Sequence, residues 1–111
     1  MYSIALEFAL KFKEITYSHI EALSGNSLKH GPLALVSDRN FVCIVLGEQE
    51  TVCHEIRARQ GNVIHIKKIN NKNLFYEILY IIYLQKYVYN LSVSKGINPD
   101  FPRNLAKVVT V

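Results

Sequence analysis

The sequence is short of most features that would announce a special chemistry. It has two cysteines, Cys43 and Cys53, one in an apolar β-branched run and the other in a helix-patterned one, which suits reduced core residues better than a disulfide. Its four histidines, His19, His30, His54 and His65, fall at no metal-ligand spacing, so no metal centre and no cofactor are expected. Thirteen basic residues against nine acidic ones leave a net charge of +4, but they are scattered, and no basic run is interleaved with aromatics. Nucleic acid is therefore not an expected partner, and Arg57-Ala58-Arg59 and Lys67-Lys68 read as a solvated helix end and strand end. Met1-Tyr2-Ser3-Ile4 shows neither the basic region nor the apolar core and cleavage site of a signal peptide, so a cytoplasmic location is expected. The most apolar segment, Leu74 to Val93, is interrupted by Glu77, Gln85, Lys86 and Asn90 and falls short of the roughly 18 uncharged residues of a membrane span. It reads as a buried or interface helix, with no membrane partner expected.

What is present fits one small domain. Half of the 111 residues are hydrophobic and 20% are charged, a globular composition, and a chain of this length can bury roughly two thirds of its unfolded surface. From Ser3 to Leu23 the residues Ala5, Phe8, Ala9, Phe12, Ile20 and Leu23 recur at three- and four-residue spacing, which predicts one buried face of an α-helix. Ser24-Gly25-Asn26 is expected to stop it, and Pro32 marks loop. Phe41 to Leu46 is a continuous apolar run, as in a strand covered on both faces.

Gly47 breaks that run. Glu48 to Gln60 then patterns as a helix with Val52, Ile56 and Cys53 inward, and Asn62 to Ile66 as a second strand. Strand, helix, strand implies a parallel βαβ unit and an α/β layer architecture. Lys68 to Asn73 is polar and rich in asparagine, a loop by composition. Leu74 to Ser94 patterns as a long helix, ended by Gly96 through Pro102 with two prolines. With no repeat and no linker, residues 1–111 are expected to form a single domain, residues 97–111 being an irregular tail.

Three separated blocks carry a family likeness: Ala5-Leu6-Glu7-Phe8-Ala9-Leu10-Lys11-Phe12-Lys13-Glu14, Leu28-Lys29-His30-Gly31-Pro32-Leu33-Ala34-Leu35, and Pro102-Arg103-Asn104-Leu105-Ala106-Lys107-Val108-Val109-Thr110-Val111. In this order they resemble the carboxy-terminal part of glucosamine-6-phosphate synthase, the isomerising glutamine–fructose-6-phosphate aminotransferase, within its second sugar-isomerase (SIS) subdomain. The resemblance implies a shortened SIS-type parallel sheet flanked by helices. It also implies a role in converting fructose 6-phosphate to glucosamine 6-phosphate, and so a place in amino sugar metabolism.

It further implies residue roles. Glu14 corresponds to the base that moves a proton between C1 and C2 of the sugar, and Lys11 lines the same site; a carboxylate suits this work because partial burial can raise its pKa. His30 corresponds to the histidine that assists ring opening from a neighbouring subunit. Lys107 corresponds to the lysine that forms a Schiff base with the ketose carbonyl, for which desolvation must lower the amine pKa, and Ala106 to a backbone contact with the sugar. Read without the family, Glu7, Lys11 and Glu14 are also what a solvated helix stripe with a Glu-to-Lys pair would show, His30 could be a surface loop histidine, and Lys107 an exposed tail lysine.

The chain departs from the family's pattern as well. Gly25-Asn26-Ser27 replaces the usual Ala-Gly-Glu, the segments after Leu46 and between Ile66 and Leu74 are shortened, and the strand expected before the first helix is not in this sequence. Neither the Ser/Thr-rich phosphate loop at a helix amino terminus nor an amino-terminal glutaminase cysteine is present. The expected protein is thus an isomerase-type fragment that binds sugar phosphate and works with a homo-oligomeric or complementary SIS-containing partner. The alternative is a noncatalytic remnant serving as a carbohydrate-derivative-binding or association module.

Overall fold

Ile4, Phe8 and Ala9 are buried along one stripe of helix α1 (Tyr2–Thr16) in a computed structural model that describes residues 1–67 and 75–105. The helix ends at Thr16, not at Leu23 as the periodicity predicts. Tyr17 takes a left-handed conformation (φ 56°) and returns its N–H to the carbonyl of Lys13, while the Thr16 hydroxyl donates back to the carbonyl of Phe12 at 2.6 Å. Ile20 packs in the cluster around Phe8 and Tyr80, whereas Leu23 packs in the cluster around Ile56. Residues three apart share a helix face, so an unbroken helix could not have delivered these two side chains to separate cores.

Ser24 caps a new short helix instead of closing the old one: its hydroxyl accepts from the Ser27 N–H at 3.1 Å, opening α2 (Gly25–Leu28). A 3-10 turn over Pro32–Leu35 follows, with proline at its first position, where no donor is needed. Leu28 and Val36 are buried on either side of this turn.

Strands β1 (Val42–Leu46) and β2 (Asn62–Ile66) pair in parallel, from Val42 opposite Asn62 to Leu46 opposite Ile66, with α3 (Glu50–Arg57) as the crossover. This is the βαβ unit that the alternation predicts. The pleat sends Cys43, Val45 and Val63 to one face, where they meet Val52, Cys53 and Ile56 of α3. It sends Ile44, Leu46 and Ile66 to the other, against α1 and the long helix α4 (Tyr76–Ser94). A strand covered on both faces has no polar side to show, which is why β1 reads as an uninterrupted apolar run.

On α4 the buried residues Tyr80, Leu84, Val88 and Ser92 fall at four-residue spacing and face α1. The Phe8 ring lies 6.3 Å from that of Tyr87, and the Tyr80 hydroxyl donates to the Ile66 carbonyl, tying the helix to the end of β2. The opposite side of α4 is also apolar, leaving Ile78, Leu79, Ile82, Tyr83 and Val93 about half exposed. Among the described residues no helix is long and apolar enough to cross a membrane. From Lys95 to Leu105 the chain forms neither helix nor strand, matching the irregular tail expected. The Lys68–Asn73 loop and the end of the tail, Ala106 and Lys107 included, lie outside the described residues.

Candidate functional site

Glu14 and Lys11 sit three residues apart in the last turns of α1, so they share one side of the helix. They form an ion pair of 2.7 Å. The Glu14 carboxylate, hydrogen-bonded to the ammonium, holds the Lys11 pKa above its ordinary value, partly opposed by burial and assisted by the charges of Glu14 and Glu7. Between α1 and α4 runs a crevice of ≈ 10 Å³ lined by Ile4, Glu7, Phe8 and Lys11 on one side and Ile81, Leu84, Gln85 and Val88 on the other. It has room for about one water, and Glu14 is not among the residues that line it.

The tail reaches that same helix end. The Arg103 N–H donates to the Tyr17 hydroxyl at 2.8 Å, and the guanidinium carbon stands 4.2 Å from the centroid of the Tyr17 ring, a cation–π arrangement. Beside them the Lys95 ammonium donates to the Thr16 carbonyl at 2.6 Å and to the Ser18 hydroxyl at 2.8 Å. The end of α1, the end of α4 and the tail are thereby knotted together. None of Tyr17, Lys95 and Arg103 stands out as a knot in the sequence; a positive-φ tyrosine and a lysine just before Gly96 are weak signals taken singly.

His30 is elsewhere. It follows α2, exposed, its N–H donating to the Ser27 carbonyl at 3.1 Å. Lys29 pairs with Glu55 of α3 at 2.9 Å, and Leu28 belongs to the α3 core. His30 therefore lies in the layer on the far face of the sheet from α1, and the structure does not bring it to Glu14 within one chain. Lys107 and Ala106 fall outside the described residues.

A larger cleft of ≈ 350 Å³ opens beside β2, lined by Ile64, His65, Ile66, Lys67, Tyr80, Tyr83 and Tyr87. Its volume is that of a small-ligand site, yet Lys11, Glu14 and His30 do not line it. At its rim the His65 Nε2 lies 2.7 Å from the Gly47 carbonyl, and Glu50, paired with Lys67 at 2.6 Å, is held below its ordinary pKa by that hydrogen bond. Burial pushes both cysteine thiols up, which suits protonated core thiols. Among the described residues no group of three or more His, Cys, Asp and Glu side chains could hold a metal ion.

Comparison with known proteins supplies a frame for these residues. Residues 1–87 match the family described as the SIS domain. The chain is 42% identical over 127 residues to the probable glutamine–fructose-6-phosphate aminotransferase [isomerizing] of Acanthamoeba polyphaga mimivirus, covering 97% of this chain and 21% of that protein. It is 40% identical over 135 residues to the glutamine–fructose-6-phosphate aminotransferase [isomerizing] of Methanothermobacter thermautotrophicus, covering 99% of this chain and 22% of that protein. It thus spans about a fifth of the length of these curated relatives. Among solved structures, the C-terminal domain of glucosamine-fructose-6-phosphate aminotransferase from Francisella tularensis superposes with a TM-score of 0.69 at 32% identity, over 87% of this chain and 34% of that one.

Proposed function

The chain belongs to the SIS domain family, and from that membership we propose that it is the portion of a sugar-phosphate isomerase that carries the proton-transfer and imine-forming groups. The proposed substrates are fructose 6-phosphate and glucosamine 6-phosphate. The Lys107 amine attacks the C2 carbonyl and water leaves, giving an imine. Ammonia, supplied from glutamine by a portion outside these 111 residues, adds at C2 and displaces the Lys107 amine, leaving an unsubstituted C2 imine. The Glu14 carboxylate then removes a proton from C1 and returns it at C2, giving the 2-amino aldose. Lys11 pairs with Glu14 and orients it, the Ala106 backbone contacts the sugar, and His30 of a second subunit assists ring opening.

One observation supports this above the others: the tail is anchored by Arg103 on Tyr17, three residues beyond Glu14. Lys107 is four positions beyond Arg103, so covalent reach keeps the two Cα atoms within about 14 Å. The exposure of His30 on the opposite layer fits a histidine offered to a neighbour and not to its own chain. The residues that grip the phosphate would come from an SIS portion outside these 111 residues, in the same polypeptide or a separate one. A cytoplasmic setting belongs to the same proposal.

The test is complementation. The chain is combined with the remaining SIS portion of a relative, ammonia is supplied, and formation of glucosamine 6-phosphate from fructose 6-phosphate is followed. Glu14→Gln is expected to lower kcat by about 10²–10⁴-fold, the usual range for a lost general base. The 111-residue chain alone is expected to give no turnover. Undiminished turnover by the Glu14→Gln complex would overturn the assignment. The second reading, a noncatalytic association module, draws on the half-exposed apolar side of α4. An inactive complemented protein that still assembles by this face would favour it.

A further inference from the structure

We propose that Tyr17 latches the C-terminal tail over the end of α1, making it a positioning residue for the amine that Lys107 contributes. The proposal rests on the imine reading for its purpose but on the fold for its existence. Tyr17 is one of three non-glycine residues with positive φ among those described, and a bulky aromatic side chain rarely adopts that conformation without cause. Its backbone is fixed from both sides. Thr16, wholly buried, and Ser18 both accept from the Lys95 ammonium, and the Tyr17 N–H closes the helix on Lys13.

The left-handed turn frees the ring from the helix surface and aims it at the tail. There it makes two contacts of different kinds with one residue: the hydroxyl accepts the Arg103 N–H at 2.8 Å, and the ring face takes the guanidinium at 4.2 Å. Between α4 and Arg103 the tail is held by the Ile97 N–H on the Ser92 carbonyl of α4 at 3.0 Å and by its own turn, Phe101 N–H to the Asn98 carbonyl, at 3.3 Å. Tyr17 is what refers the tail to α1 and so to Glu14, one turn upstream. Without it the tail at Arg103 would be free to leave the helix end, and the effective concentration there of any group the tail carries would fall.

The latch is tested first without any substrate, by amide hydrogen exchange of the full chain. Tyr17→Phe removes the acceptor and keeps the ring. The Arg103 amide is expected to exchange about tenfold faster in this variant, the loss of one typical hydrogen bond, and faster still in Tyr17→Ala, while the Val45 and Leu84 amides keep their rates. Unchanged Arg103 exchange in both variants would overturn the latch. In the complemented protein, reductive trapping of fructose 6-phosphate on Lys107 at saturating sugar is expected to slow about tenfold in Tyr17→Phe with the half-saturating sugar concentration unchanged. Trapping as fast in Tyr17→Ala as in the unaltered chain would overturn the positioning role. If Arg103 exchange responds but no sugar is ever trapped on Lys107, the imine assignment falls and the latch stands.

Discussion

Lys95 offers a quantitative check on how the two long helices are joined. Its ammonium donates to the Thr16 carbonyl at 2.6 Å and the Ser18 hydroxyl at 2.8 Å, and Thr16 is wholly buried. Replacing Lys95 by Met keeps the aliphatic stem and removes the donor, leaving the carbonyl at the end of α1 without its charged partner. Hydrogen bonds to charged groups contribute about 1.5–3 kcal/mol. Because Lys95 itself is exposed, the low end applies, and a cation beside the carbonyl end of a helix adds about 0.5 kcal/mol. Lys95→Met is therefore expected to destabilise the chain by about 2 kcal/mol, which at this size lowers Tm by roughly 8 °C. Urea denaturation followed by circular dichroism measures it, with the m-value unchanged because the surface exposed on unfolding is the same. Lys95→Arg should recover at least half of the loss. A loss below about 0.5 kcal/mol, within the range of an ordinary surface substitution, would refute the view that this lysine ties α4 to α1.

Leu84, 2% exposed between α1 and the sheet, should cost about 2–5 kcal/mol when cut to Ala, as core leucines do; a urea midpoint barely displaced would mean that α4 is not packed as described. The pH dependence of the Lys11–Glu14 pair has a definite sign. Lys11 is raised above 10.5, so the pair's contribution is full below pH 10.5 and is lost as pH rises through the higher folded value. With 40% of the Lys11 side chain exposed, that contribution is only about 0.3 kcal/mol. Glu14→Gln should return the Lys11 pKa toward its ordinary value in a carbon-detected NMR titration, and an unmoved titration would show that the pair does not persist in solution.

The pattern of apolar residues determined much of this protein unaided. The Phe41–Leu46 run announces a strand with no polar side, and its partner at Asn62–Ile66 with a helix between them implies a parallel pair, because these signals depend on side chains a few residues apart. The three-residue spacing of Lys11 and Glu14 places them together on any helix, and the block from Pro102 to Val111 carries its family likeness whatever the chain does. Helix ends were less legible. Ile20 and Leu23 continue the period of α1 and only the fold divides them between two cores. Likewise Ser24-Gly25-Asn26 reads as a stop and serves as a start, since a serine cap and a helix terminator use the same small polar residues.

The site belongs to the tertiary structure. Lys95 meets Thr16 across 79 residues and Arg103 meets Tyr17 across 86, and no local preference reaches so far. Those contacts exist because α1 and α4 bury Phe8, Tyr80, Leu84 and Val88 against one face of the sheet, and burial, being non-directional, says how much surface must be hidden but not which ends will come together. The same partition sends His30 to the opposite layer, away from Glu14, although the two residues lie within thirty positions of the amino terminus. Sequence supplied the chemical groups and their local faces; the path of the chain through two cores decided which of them could meet.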